Sequence, residues 1–316
     1  MNINQLTYFI ELVRHRSFSR AAAQLHISQP ALSLQIQKLE EEFSYQLVDR
    51  TRKPLSLTPE GELFYDKALK IVQLVDDLNQ LGLDMDEQVE GKLRVGIIPT
   101  LSPYLVPLFI DALNEKYPRL FLEITEVNTE DIISRLTFNE LDLGILSTPV
   151  IAKNIGFVPL FYERFYLYVS DRHTLFAEEK ISQDQLQTEE LWYLREGNCF
   201  QNQVNSICQI PDRKETELSF RYISYSIESI KRIVENQGGM TFLPELATMN
   251  IPEVYEDMVK EIGEPTPIRE ISAAYLKTTG LKRIAQLLLE VISENIPTRM
   301  KQKPVMKPLD TKLKIG

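Results

Sequence analysis

Leu6, Phe9, Ile10 and Val13 recur at three- and four-residue intervals, which predicts a short helix near the start of the chain. Ser17-Phe18-Ser19 supplies a cap for a second, alanine-rich helix over Arg20-Ala21-Ala22-Ala23-Gln24-Leu25, and His26-Ile27 makes a turn. Ser28 then serves as N-cap of a third helix with Pro30 in its first turn, where a missing N–H costs nothing; Leu32, Ile36, Leu39 and Phe43 continue it. Leu47 to Leu57 reads as a two-stranded wing with Arg52-Lys53-Pro54 at its tip. From Thr58-Pro59-Glu60, the residues Phe64, Ile71, Leu74, Leu78, Leu81 and Met85 follow a 3–4 spacing. That predicts a helix of roughly 30 residues whose apolar seam pairs two identical chains.

After Gly91 the pattern changes to alternating strands and helices, an α/β reading. The expected strands are Leu93–Ile98, Leu120–Glu126, Leu141–Leu146, Phe157–Leu160, Tyr166–Val169, Leu191–Leu194, Phe220–Ile223, Met240–Leu243 and Ile271–Leu276. Helices include Ser226–Asn236 and Gly280–Ile296. Two sets of strands with one late strand suit two subdomains and a cleft between them. The end of the chain from Met300 is rich in Lys and Pro and is expected to be disordered.

Composition narrows this picture. The chain has 316 residues, 43% of them hydrophobic, which excludes wholesale disorder and suits about two domains. No stretch approaches the apolar length of a membrane span, and Asn2, Gln5 and Glu11 do not read as a signal peptide. Two cysteines do not make a disulfide scaffold, so a cytoplasmic protein with reduced thiols is expected. The net charge of −10 argues against nucleic acid only when taken globally. Residues 1–58 carry +2, residues 59–90 carry −7, residues 91–298 carry −10 and residues 299–316 carry +5. The acidity lies outside the N-terminal segment, whose weak positive field is compatible with DNA.

The run Ser19-Arg20-Ala21-Ala22-Ala23-Gln24-Leu25-His26-Ile27-Ser28-Gln29-Pro30-Ala31-Leu32-Ser33 has the logic of a helix-turn-helix. Small Ala22 and Ala23 let two helices cross closely, and the second projects its first residues toward a major groove. With Leu39-Glu40 and Thr58-Pro59-Glu60-Gly61, it closely resembles the LysR-type transcriptional regulators. The resemblance implies a winged helix-turn-helix DNA-binding domain (1–58) and a linker/dimerisation helix (59–90). It implies a two-subdomain, periplasmic-binding-protein-like effector module over 91–300, with subdomain I at about 91–162 and 267–300 and subdomain II at about 163–266. A basic tail (301–316) follows. By that resemblance Gln29, Pro30 and Ser33 face the bases, and Arg50, Arg52 and Lys53 are phosphate contacts from the wing. Arg14 and Arg16 read as solvated charges at a helix end.

The remaining chemistry lies in the cysteines. Gly197-Asn198 reads as a turn and cap, after which Phe200, Val204 and Ile207 share one face of a short helix. Cys199 then sits at a helix N terminus, where free N–H groups and the dipole favour a thiolate. Cys208 is nine residues on, roughly 13 Å along a helix, so a disulfide could close only if the helix unwinds. A pair so spaced, without nearby His, makes a poor metal site.

This arrangement resembles the peroxide-sensing OxyR branch of the family. The resemblance implies that Cys199 is the peroxidatic thiol and Cys208 the resolving one, joined in a reversible intramolecular disulfide. It is also carried by Gly96-Ile97-Ile98-Pro99-Thr100-Leu101-Ser102-Pro103-Tyr104, by Ser226-Ile227-Glu228 and by Gly238-Gly239-Met240-Thr241-Phe242-Leu243-Pro244. Thr100 and Thr129 are then peroxide-pocket hydroxyls; the bland reading of each is a helix N-cap. Several branch members carry His and an Arg-Asp pair where this chain has Asn198 and Gln201-Asn202, which leaves Gln203, Arg221 and the helix end as partners for the thiolate. The implied partners are double-stranded DNA, further copies of the chain as a homodimer or homotetramer, RNA polymerase, hydrogen peroxide, and a thiol reductant such as glutaredoxin or thioredoxin. No cofactor, metal, membrane or enzymatic role is expected. The competing readings are a regulator gated by a small organic ligand, with structural cysteines, and a thiol peroxidase, which would have no use for a DNA-binding head.

Overall fold

A computed structural model of the chain describes residues 1–52, 54–81, 89–186, 191–194, 199–208, 224 and 226–315. Helix α1 (Ile3–His15) begins on a reciprocal cap, in which the side chains of Asn2 and Gln5 each accept from the other's backbone N–H. Ser17 caps α2 (Phe18–Gln24), and Ser28 caps α3 (Gln29–Phe43) with Pro30 in its first turn. Ala21 and Ala22 are buried where these helices meet. Strands β1 (Val48–Asp49) and β2 (Ser56–Leu57) pair antiparallel as a small wing. Helix α4 (Pro59–Leu81) starts where a side chain at Gly61 would lie 2.0 Å from the Leu47 carbonyl oxygen, so that close approach requires glycine.

Phe64 does not join an outer seam of α4. It is bracketed by Phe9 and Phe43, with ring centroids 5.4 and 5.1 Å away, and packs into the head's core beside Tyr65, Ala68 and Leu69. The apolar face left open holds Leu63, Ile71, Leu74 and Leu78, with Leu74 and Leu78 62% and 65% exposed. The side chain of Leu81, and the predicted continuation through Met85, lie outside the described residues.

The effector module begins with β3 (Glu90–Ile97), α5 (Ser102–Lys116), β4 (Arg119–Glu126), α6 (Thr129–Thr137), β5 (Leu143–Thr148), β6 (Val150–Ala152) and β7 (Ile155–Val169). It continues with β8 (Lys180–Ile181), α7 (Cys199–Ile207), α8 (Ile227–Gln237), β9 (Met240–Pro244) and β10 (Val259–Ile262). The last elements are β11 (Ile268–Leu276), α9 (Arg283–Asn295), α10 (Thr298–Lys301) and β12 (Leu313–Ile315). The main sheet runs β4-β3-β5-β11-β7-β10-β8, with β9 also paired to β7. Parallel β3–β4 and β3–β5 pairs, joined through helices, meet antiparallel β11 and β7.

Two strands predicted around Phe157 and Tyr166 are one, β7. Its first part pairs with β11 and its last residues pair with β9 and β10, so one 15-residue strand enters both hydrophobic cores. One core gathers β3, β5, α5, α6, β11 and α9; the other gathers the end of β7, β9, α7 and α8. The strand predicted at Leu191–Leu194 is a single bridge from Leu191 to Met240. The one predicted at 220–223 lies outside the described residues. No described helix is long and apolar enough to cross a membrane.

The predicted disorder of the tail is overturned. Its last residues form β12, which pairs in parallel with β6, and Thr311 is wholly buried. The reason is a period-2 pattern that composition conceals. Thr311, Leu313 and Ile315 point inward, while Asp310, Lys312 and Lys314 face solvent.

Candidate functional site

Cys199 is the first residue of α7 and is buried against the first core, while Phe200 beside it belongs to the second. The thiol therefore sits on the boundary between the two halves. Both cysteines are free thiols, and Cys208 continues the helix by donating its N–H to the Val204 carbonyl at 3.0 Å. At a helical rise of about 1.5 Å per residue the two lie roughly 13 Å apart, beyond disulfide reach while α7 is intact.

Thr129 Oγ1 lies 3.2 Å from Cys199 Sγ, and both are buried. The hydroxyl is free for this contact because Asn128, not Thr129, caps α6 by accepting from Asp131 N–H. Thr100 does not cap α5 either. Its hydroxyl accepts from Arg269 Nη1 at 3.1 Å and its carbonyl accepts from Nη2 at 3.2 Å. Arg269 thus links the loop before α5 to the thiol site, and its guanidinium lies 5.3 Å from the Phe200 ring centroid.

Arg269 is wholly buried, and so is its partner. Glu163 Oε1 accepts from Arg269 Nε at 3.1 Å and from Nη2 at 2.8 Å, while Oε2 accepts from Leu246 N–H at 3.1 Å. Burial pushes the Glu163 carboxyl up, against the Arg269 charge and the Leu246 N–H. Two guanidinium N–H groups converge on Oε1, and the backbone holds Oε2.

A helix N terminus is not the main influence on the Cys199 thiol. Burial is the largest influence and pushes its thiol up. Hydrogen bonds from Thr129 and Thr311, the helix-end N–H of Cys199 itself and the Arg269 charge oppose that without reversing it. Cys208 is pushed up to about 12 by burial alone. Burial and the groups around the Cys199 sulfur thus act on its thiol in opposite senses.

The polar side chains after Cys199 do not face its sulfur. Gln201 accepts from Leu194 N–H, Asn202 donates to the Thr311 carbonyl, and Gln203 accepts from Ser147 and donates to the Leu309 carbonyl. Gln203 is therefore a tether of the helix; Asn198 and Arg221 lie outside the described residues. Two of the quoted motifs do meet, since Tyr104 donates to Glu228 at 2.7 Å, joining α5 to α8. Sequence patterning does not single out Arg269, Glu163 or Thr311. Isolated charges on a late strand carry no local motif, and only the alternation at 310–315 could have drawn attention to Thr311. Among the described residues no cluster of three or more His, Cys, Asp or Glu could hold a metal.

On the head, Gln29, Pro30 and Leu34 are exposed along the start of α3 and Ser33 is half-buried; Gln29 Oε1 accepts from the Ser19 hydroxyl. Arg50 is paired with Glu40 at 2.9 Å and lies over the Phe18 ring, and Arg52 is paired with Asp49 at 3.3 Å. Lys53 lies outside the described residues. Arg14 is not a solvated helix-end charge: it pairs with Glu11 and donates to the carbonyls of Phe138 and Asn139 in the effector module. Arg16 lies over the Phe138 ring, so both arginines join the head to the module.

The profile of the bacterial regulatory helix-turn-helix protein, lysR family, matches residues 3–62, and that of the LysR substrate binding domain matches residues 86–297. The chain is 32% identical to a hydrogen peroxide-inducible genes activator of Haemophilus influenzae, over 94% of this chain and 97% of that one. It is 33% identical to the DNA-binding transcriptional dual regulator OxyR of Escherichia coli, over 92% and 95%. The C199D variant of full-length OxyR from Pseudomonas aeruginosa superposes with a TM-score of 0.75 at 29% identity, covering 93% of this chain and 98% of that one. Both family profiles and these relatives cover nearly the whole chain between them, and the chain belongs to the LysR-type transcriptional regulators, in their OxyR branch.

Proposed function

We propose that the chain is a cytoplasmic DNA-binding regulator that senses hydrogen peroxide through a reversible Cys199–Cys208 disulfide and controls oxidative-stress genes. The observation that carries this reading is the Thr129 hydroxyl 3.2 Å from a buried Cys199 sulfur at the head of α7. Peroxide enters beside Thr129 and Thr100. The Cys199 sulfur attacks one peroxide oxygen; the S–O bond forms as the O–O bond breaks. The thiol proton, relayed by Thr129, leaves with the departing oxygen as water, and Cys199 becomes a sulfenic acid. Helix α7 then unwinds, and the Cys208 sulfur displaces the hydroxyl, which departs with the Cys208 proton as a second water. Two electrons have passed from the thiols to peroxide. A thiol reductant such as glutaredoxin or thioredoxin returns them.

Remodelling α7 repacks the module and changes how the heads are spaced in a homodimer or homotetramer assembled through the open face of α4. Gln29, Pro30 and Ser33 read bases, Arg50, Arg52 and Lys53 hold phosphates, and the altered assembly is presented to RNA polymerase. The test is mass spectrometry after stoichiometric peroxide, paired with footprinting of reduced and oxidised protein on its own promoter. A Cys199–Cys208 linked peptide and a footprint that changes length are expected. Absence of the linked peptide would sink the proposal, and so would a Cys→Ser pair that responds like the parent.

A further inference from the structure

The tail crosses the boundary on which Cys199 lies. Leu309 packs against the second core, whereas Leu313 and Ile315 pack against the first. Leu309 N–H donates to the Ile268 carbonyl at 2.9 Å, one residue before Arg269, and β12 pairs with β6 just after Pro149. Thr311 stands between these anchorages, wholly buried, with its hydroxyl donating to the Pro149 carbonyl. Two bonds fasten the segment to the redox helix: Asn202 Nδ2 donates to the Thr311 carbonyl at 2.9 Å and Gln203 Nε2 donates to the Leu309 carbonyl at 3.0 Å.

We propose that residues 309–315 are a strap that clamps α7 in its dithiol form. The proposal rests on the reading of Cys199 and Cys208 as the redox pair. Three observations lead to it. A Lys- and Pro-rich segment lies on the two cores and on α7. Its one fully buried polar side chain, Thr311, is spent on holding the strap, donating to the Pro149 carbonyl. Its two backbone carbonyls at Leu309 and Thr311 are spent on α7. The clamp follows from geometry. Cys208 reaches Cys199 only if α7 unwinds, and unwinding displaces Asn202 and Gln203, which lie between the cysteines and hold the strap. Each disulfide formed therefore breaks two strap bonds, and the strap favours the reduced state.

Deletion of residues 303–316 from the full chain tests this. Titration against glutathione reads the clamp: the deletion should raise the equilibrium constant for disulfide formation about tenfold, close to 30 mV for a two-electron couple. An unchanged or lowered constant overturns the clamp. Hydrogen exchange at the amides of Leu309 and residues 313–315 supplies a measurement on the unaltered chain. Protection should be present in the dithiol form and lost in the disulfide form, and protection retained in both overturns the clamp. If the parent forms no Cys199–Cys208 bond with peroxide, the functional reading fails; if it forms one and the deletion leaves its equilibrium constant unchanged, the clamp alone fails.

Discussion

Thr100 and Glu163 never touch, yet both are held by one guanidinium: Arg269 donates Nη1 to the Thr100 hydroxyl and Nε to Glu163 Oε1, each at 3.1 Å. The loop that opens α5 and the strand that spans both cores are therefore fixed by a single buried ion pair. Removing one member leaves a charge in an interior that cannot solvate it. Arg269→Met and Glu163→Met should each lower the unfolding free energy by about 3–5 kcal/mol, and the paired double substitution should recover part of that loss. Urea unfolding of the four proteins measures this as a double-mutant cycle.

Thr129→Val removes the hydroxyl nearest the thiol and keeps its volume. A neutral hydrogen bond is worth about 1 kcal/mol, so oxidation of Cys199 by peroxide should slow roughly fivefold at pH 7. Stopped-flow kinetics would check this; the fold should be unchanged, because Asn128 carries the cap of α6.

The pH dependence of the thiol reaction follows from burial. Because the Cys199 pKa is raised, its ionised fraction at neutral pH is smaller than that of an ordinary thiol, and the rate of reaction should climb with pH to well above 8. The linked effect on folding has the opposite sense. A raised thiol pKa contributes stability that is present below the ordinary thiol value of about 8.5 and is lost as pH rises through the folded value. Alkylation rates and denaturation midpoints measured from pH 6 to 10 should move in opposite directions.

Asp142 makes a separate prediction at the other end of the scale. Burial pushes its carboxyl up, but Arg94 and Lys282, both at 2.9 Å, prevail and hold it at about 2. Its pKa is depressed, so its contribution of about 2 kcal/mol is present above pH 4 and is lost as pH falls toward 2. Asp142→Asn should remove that contribution at pH 7 and flatten the acid limb of the stability profile, read by thermal unfolding.

The head was largely legible because its signals are local. A cap is a matter of three residues, as at Ser28 and Ala31, and a helical period of four, as from Leu32 to Ile36. The site was legible where a hydroxyl or thiol lay in a distinctive run, as Thr129 and Cys199 do. Arg269 and Glu163 were not, because their meaning lies in a pairing across 106 residues. Thr311 was hidden by composition, since its lysine and proline neighbours suggest disorder while the alternation beneath them makes a strand. Phe64 shows the limit of periodicity: spacing placed it on a helix face but could not say that Phe9 and Phe43 would claim it. The Cys199 pKa shows a further limit, since a helix end is visible in sequence and the burial that outweighs it is not.

The claim of the head's core on Phe64 has a mechanical consequence. With Tyr65, Ala68 and Leu69 also buried there, the first turns of α4 are welded to the head, and the two form one rigid arm. That arm is roughly 35 Å long at 23 residues. Tilting it by about 10° at its far end would carry the recognition helix some 6 Å, more than the rise of a base pair. Small angular changes at the far end of α4, where Leu74 and Leu78 lie open, are thus magnified by leverage before they reach the groove.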